Sequence, residues 1–88
     1  MPVYWTPRFS RDWKKLPTRV KEKARNATRR LEEDRTHPSL RLKRIKRLPG
    51  YWEIRVDDGY RIILTIEGDS FTFMTIGPHD ILNFFQII

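Results

Sequence analysis

The chain has 88 residues, 39% hydrophobic and 12% aromatic, which suits one folded domain over residues 1–88 and excludes a disordered tail. It has no cysteine, which excludes disulfides and thiolate metal sites and fits a reducing, cytoplasmic setting. Its net charge is +7, and with no apolar leader and no run near the ~20 apolar residues that span a bilayer, a basic soluble protein without a membrane partner is expected.

In chain order, Val3-Tyr4-Trp5 reads as a short strand stopped by Pro7. Ser10 is placed to cap a short helix through Leu16, with Phe9, Trp13 and Leu16 on one face. Pro17 ends it, and Thr18 is the expected N-cap of a longer helix to about Asp34. Val20, Ala24, Ala27 and Leu31 form that helix's apolar stripe, with Lys21, Lys23, Arg25, Arg29 and Arg30 around it. The polar segment from Thr36 to Ser39 stops it.

After this break the period changes. Leu40, Leu42 and Ile45 interleave with Arg41, Lys43 and Arg44, which predicts a ragged basic strand or loop. Leu48-Pro49-Gly50 is a turn. Trp52, Ile54 and Val56 then alternate with Glu53, Arg55 and Asp57, a period-two strand. Asp57-Asp58-Gly59 signals a hairpin into a return strand from Tyr60 to Ile66. Glu67-Gly68-Asp69 turns the chain into a last strand over about 71–76, and Gly77-Pro78 breaks it. Residues 80–88 read as a final apolar turn of helix. The predicted class is α+β: a short N-terminal strand, two helices packed on an antiparallel meander sheet, and a short C-terminal helix.

Charge is segregated along this layout. Residues 8–47 hold sixteen Lys/Arg against five acids, whereas residues 48–88 hold only Arg55 and Arg61 against six. Such a distribution suits a surface that seeks a polyanion, nucleic acid foremost; a generally basic, soluble surface is the bland alternative. The densest segment, Arg41, Lys43, Arg44, Lys46 and Arg47, is anchored by Leu40, Leu42 and Ile45. It reads as a strip along an RNA backbone, or as a solvated charge run. Tyr51 is a base-stacking candidate, while Trp52, in phase with Ile54, belongs to the core.

Arg55 and Arg61 both leave the core face and, paired across the Asp58-Gly59 hairpin, can lie on one sheet face as near neighbours or diagonally. Two close guanidiniums suit a phosphodiester between them. Otherwise Arg55 pairs with Glu53 or Asp57 as an ordinary surface ion pair. His79, beyond the breakers Gly77-Pro78, falls at the sheet's edge, where a histidine side chain can donate or accept a proton during phosphodiester cleavage. The alternative is a histidine bonded to Asp80 or capping the last helix. His37 has weaker claims, and two histidines without cysteine make no zinc site.

Taken in order, these segments resemble the RelE/ParE toxin superfamily. The resemblance lies in Phe9-Ser10-Arg11-Asp12 with Lys15-Leu16-Pro17, in the loop after His37-Pro38, and in the run from Lys46-Arg47-Leu48-Pro49-Gly50-Tyr51 to Val56. Gly59-Tyr60-Arg61-Ile62-Ile63 and Ile76-Gly77-Pro78-His79-Asp80 complete it. It implies a toxin of a type II toxin–antitoxin system that needs no cofactor or metal. Its partners would be a cognate antitoxin, whose acidic segment or helix covers the basic face, and the ribosome with its mRNA.

RelE-like members cut mRNA in the ribosomal A site by attack of a ribose 2′-OH on the adjacent phosphate. By position, Arg61 would stabilise the phosphorane, Arg55 would hold the phosphate, and His79 would be general acid or general base. Lys43 and Lys46 lie where members carry catalytic helpers. The sequence departs from the pattern in having no tyrosine after Tyr60, where several members use one; Phe84 and Phe85 cannot take a proton. Leu42 stands where one branch has a glutamate base, leaving Glu53 on the neighbouring strand to substitute. Two rival readings share the fold: a ParE-like inhibitor of DNA gyrase, and a non-catalytic RNA- or ribosome-binding module.

Overall fold

The computed structural model describes residues 2–81. The helix expected over 80–88 therefore lies outside the described residues beyond Ile81, as do Leu82, Phe84, Phe85, Ile87 and Ile88. Among the described residues the order is β1 (Val3–Trp5), α1 (Pro7–Lys14), α2 (Thr18–Glu33), a 3-10 turn (Pro38–Leu40), β2 (Lys43–Arg44), β3 (Tyr51–Arg55), β4 (Tyr60–Glu67) and β5 (Ser70–Pro78). The strands form one sheet in the order β1-β5-β4-β3-β2. From β2 to β5 the pairing is antiparallel, the predicted meander, while β1 joins β5 in parallel at the far edge. The sheet is thus mixed: both helices intervene between β1 and the opposite edge, and the meander returns to β1.

One sheet face is the core. Phe9 of α1 and Ala24, Ala27 and Leu31 of α2 pack on Ile54, Ile62, Leu64, Phe71, Phe73 and Ile76. Burying each large aliphatic or aromatic side chain contributes about 1.5–3 kcal/mol. The alanines let α2 approach the sheet closely, which explains its thin apolar stripe.

Three helix-terminus expectations are corrected. Thr6, not Ser10, caps α1, its hydroxyl accepting from the Phe9 N–H at 3.1 Å. Pro7 starts that helix instead of merely ending the strand, because an N–H in the first turn has no intrahelical acceptor and proline forfeits no bond there. Pro17, not Thr18, occupies the N-cap position of α2, with no side-chain cap bond. The second helix ends at Glu33, and Asp34 is its C-cap.

Thr6 also ties α1 to the sheet. In β5 the register slips, Ile63 facing Thr75 and Leu64 facing Phe73, so Met74 bulges out of the ladder. Its carbonyl accepts from the Thr6 hydroxyl at 3.0 Å. On α1, Asp12 accepts from the Thr75 hydroxyl at 2.5 Å. The bulge thereby fixes the helix on β5 and resets which side chains of the strand's second half leave the core.

Candidate functional site

The face of the sheet turned away from the core is ordered in rows, because directly paired residues share a face. One row runs Lys43, Glu53, Ile63, and the next runs Arg55, Arg61, Gly77; at the bulge Thr75, opposite Ile63, turns its hydroxyl to Asp12 of α1 instead. Past that row the His79 N–H donates to the Gly59 carbonyl at 2.8 Å, opening a third. On the far side of the Glu53 row, Tyr51 faces Thr65 and Thr65 faces Thr72. The arginine row therefore lies between Glu53 on one side and His79 on the other.

The two arginines are direct cross-strand partners, closer than the sequence alone required. Neither is bare. Arg55 pairs with the carboxylate of Asp58, not with Glu53 or Asp57 as the bland reading had it. Arg61 donates to the Asp57 carbonyl at 2.8 Å and the Tyr60 carbonyl at 3.0 Å. The hairpin loop supplies these partners because its four residues fold back on themselves: Asp57 accepts from the Gly59 N–H at 2.9 Å, an Asx turn.

Glu53 is held at the neighbouring position. Its side chain is only 11% exposed and pairs with the Lys43 ammonium at 3.2 Å, which is itself 69% exposed. Ile63 and Gly77 are buried in the middle of this face. Gly77 gives up its side-chain volume to Ile81, whose Cδ1 would lie 2.7 Å from an added Cβ. The site is thus a rim of charges around a buried middle. His79 is exposed, and its backbone is anchored to Gly59.

The basic segment does not act as one strip. Lys43 faces Glu53, whereas Arg44, one residue on, lies over the Trp52 ring on the core-side face at 5.1 Å. Arg41 adopts a left-handed backbone, φ 48°, to close the 3-10 turn. Lys46 and Arg47 are exposed on the turn between β2 and β3, which is closed by the Ile45 N–H to Tyr51 carbonyl bond at 2.9 Å. His37 is structural: its Nδ1 accepts from the Ser39 N–H at 3.2 Å. Among the described residues no three His, Asp or Glu side chains gather as a metal site would need.

Two features escaped the sequence reading. Arg19, Lys23, Asn26 and Arg30 form a stripe on α2 that faces the β3–β4 hairpin across a cleft of about 630 Å³, which Arg55, Asp57 and Asp58 also line. The i, i+4, i+7, i+11 spacing is visible in the sequence, but cations all round the helix mask it. An apolar cleft of about 570 Å³ lies between α1, α2 and β1, lined by Trp5, Phe9, Trp13 and Phe73. The Arg25 guanidinium sits 5.3 Å over the Trp13 ring there.

Two helices on one face of a mixed five-stranded sheet are the fold of a class, the small toxins of the RelE/ParE superfamily. Within it the chain belongs to the ParE toxin family of type II toxin–antitoxin systems, whose model matches residues 3–82. Solved structures agree on the fold. A chain of the RelB–RelE antitoxin–toxin complex of Methanococcus jannaschii superposes with a TM-score of 0.72 at 23% identity, covering 96% of this chain and 100% of that one. YafQ from Escherichia coli gives 0.76 at 18% identity, with 91% and 94% covered. The YoeB/ParE toxin of Agrobacterium tumefaciens gives 0.71 at 20%, with 90% and 99% covered. No curated protein matches the chain in sequence. Among the described residues no helix is long and apolar enough to cross a membrane.

Proposed function

We propose that the chain is a metal-independent endoribonuclease that cuts mRNA in the ribosomal A site and is held in check by an antitoxin that covers its basic face. The observation that supports this reading is the order of the rows. In-line attack places the nucleophilic 2′-oxygen and the leaving 5′-oxygen on opposite sides of phosphorus, so base and acid must come from opposite sides of the phosphate. Glu53 and His79 flank the Arg55–Arg61 row on opposite sides.

In this reading Glu53 takes the proton of the 2′-OH, and the 2′-oxygen bonds to phosphorus. Arg61 stabilises the extra negative charge of the phosphorane, for which it is preorganised by its two carbonyl bonds. Arg55 holds a non-bridging oxygen. As the P–O5′ bond breaks, His79 gives a proton to the leaving oxygen. The products are a 2′,3′-cyclic phosphate and a 5′-hydroxyl. Lys43 is counter-ion to Glu53; Tyr51 stacks on a base; Arg41, Arg44, Lys46 and Arg47 contact the backbone of mRNA or ribosomal RNA, Arg44 by leaving Trp52.

The test is induced expression of wild type, Arg61→Ala and His79→Ala, with 5′ ends of messages mapped within minutes. Cuts in translated messages, lost in both variants, are expected. The family's name favours a second reading, inhibition of DNA gyrase, and growth arrest with intact messages and stalled DNA replication would establish it instead. Binding to ribosomes with neither arrest nor cuts would leave a non-catalytic module.

A further inference from the structure

We propose that the cleft between α2 and the β3–β4 hairpin is a second anion seat, taking a phosphodiester of single-stranded RNA next to the one at Arg61, and that in the free protein Asp58 occupies it. The identity of the ligand rests on the RNA reading above. Arg55 belongs to both places: it is the cross-strand partner of Arg61, and it lines the cleft with Arg19, Lys23 and Arg30. A strand held at Arg61 therefore continues into the cleft past a shared guanidinium.

The two carboxylates there differ in kind. Asp57 is a fixed counter-ion: its side chain is 13% exposed, faces Arg19 at 3.4 Å and Lys23 at 3.8 Å, and accepts from the Gly59 N–H. Asp58 is 96% exposed and pairs with Arg55 alone among the described contacts. Four cations then face two anions, one of which is exchangeable. An exposed ion pair is weak, whereas a guanidinium and a phosphate form a charge-assisted, often bidentate contact. A phosphate entering the cleft displaces Asp58, leaves Asp57 in place, and finds Arg19, Lys23 and Arg30 already spaced along one helix face. Asp58 thereby sets the affinity for RNA without touching the reacting phosphate.

The experiment is fluorescence anisotropy with a labelled single-stranded 2′-O-methyl oligoribonucleotide, which binds but lacks the 2′-OH needed for cleavage. Asp58→Asn should tighten binding about two- to fivefold, the worth of an exposed pair released. Asp69→Asn, the same charge change on the exposed β4–β5 turn, should tighten it less than about 1.5-fold. Lys23→Gln with Arg30→Gln should weaken binding, lower the slope of log affinity against log salt by about 1.4, and abolish the Asp58→Asn gain. Equal effects of Asp58→Asn and Asp69→Asn, or a gain that survives loss of Lys23 and Arg30, would overturn the proposal. Arg61→Ala separates it from the reading on which it rests. Weakened binding in Arg61→Ala with indifferent cleft variants removes the cleft alone. The reverse pattern keeps the cleft and removes the Arg61 site.

Discussion

The two faces of the sheet are built by one alternation and do opposite things. Toward the helices, Ile54 and Ile62 pair in β3 and β4 and Ile76 continues the row in β5, all of them buried. On the other side the same strands carry Glu53, Arg55 and Arg61 beside a buried Ile63. The comparison teaches that the core face holds the charges in register. Because the side-chain period is two, a one-residue slip would exchange the faces, so the apolar row fixes where the arginines meet.

Breaking the apolar row should have the largest effect. Ile62→Ala leaves a cavity beneath Arg61 and should cost about 2–5 kcal/mol in urea unfolding, with cleavage falling only as the folded fraction falls. The charged row should respond in the opposite sense. Arg61→Ala should lower the cleavage rate on ribosomes about 10²–10³-fold, while the two hydrogen bonds lost from the hairpin cost only about 1 kcal/mol of stability. An Arg61 variant that unfolds as readily as Ile62→Ala would make the arginine structural.

Gly77 marks where the two faces compete for space. A side chain there meets Ile81, so Gly77→Val should lower stability by about 1 kcal/mol, limited by the freedom of Ile81 to withdraw. Thermal unfolding checks it. The smallest effect lies away from both faces. The Thr36 hydroxyl, and then its backbone N–H, hold the Asp34 carboxyl below the usual carboxylate range. Since the folded-state value is depressed, the contribution is present above the unfolded carboxylate's titration and is lost as pH falls through the folded one. The small difference in Tm between wild type and Thr36→Val should therefore close at acid pH.

Much of this architecture was legible because it is periodic. The alternation of Trp52, Ile54 and Val56 and the Asp57-Asp58-Gly59 turn bring Arg55 and Arg61 to one face across a hairpin, and the structure makes them direct partners. The bulge at Met74 was missed, although its trace is in the sequence: Phe71-Thr72-Phe73 alternates, and Met74 delays the next threonine by one residue to Thr75. Thr6 was missed as a cap because Pro7 reads equally as the end of a strand or the start of a helix. Arg44 shows the limit for the site: a run of cations says nothing of which side each takes, and here the Trp52 ring draws one residue away from its neighbours. Asp58 was read as a turn residue, and its role as counter-ion to Arg55 depends on a loop conformation that periodicity does not specify.

Cleavage through the ribose 2′-OH, with Glu53 and His79 on opposite sides of the arginine row, makes the substrate's own hydroxyl the nucleophile. The direct measurement is purified protein with programmed ribosomes and two messages, one all-ribose and one with a single 2′-deoxy nucleotide at the mapped cut. The first should be cut to a fragment with a 5′-hydroxyl, and the second left whole at that position, if the 2′-OH is the nucleophile. Cutting of the deoxy message at the same position would contradict it.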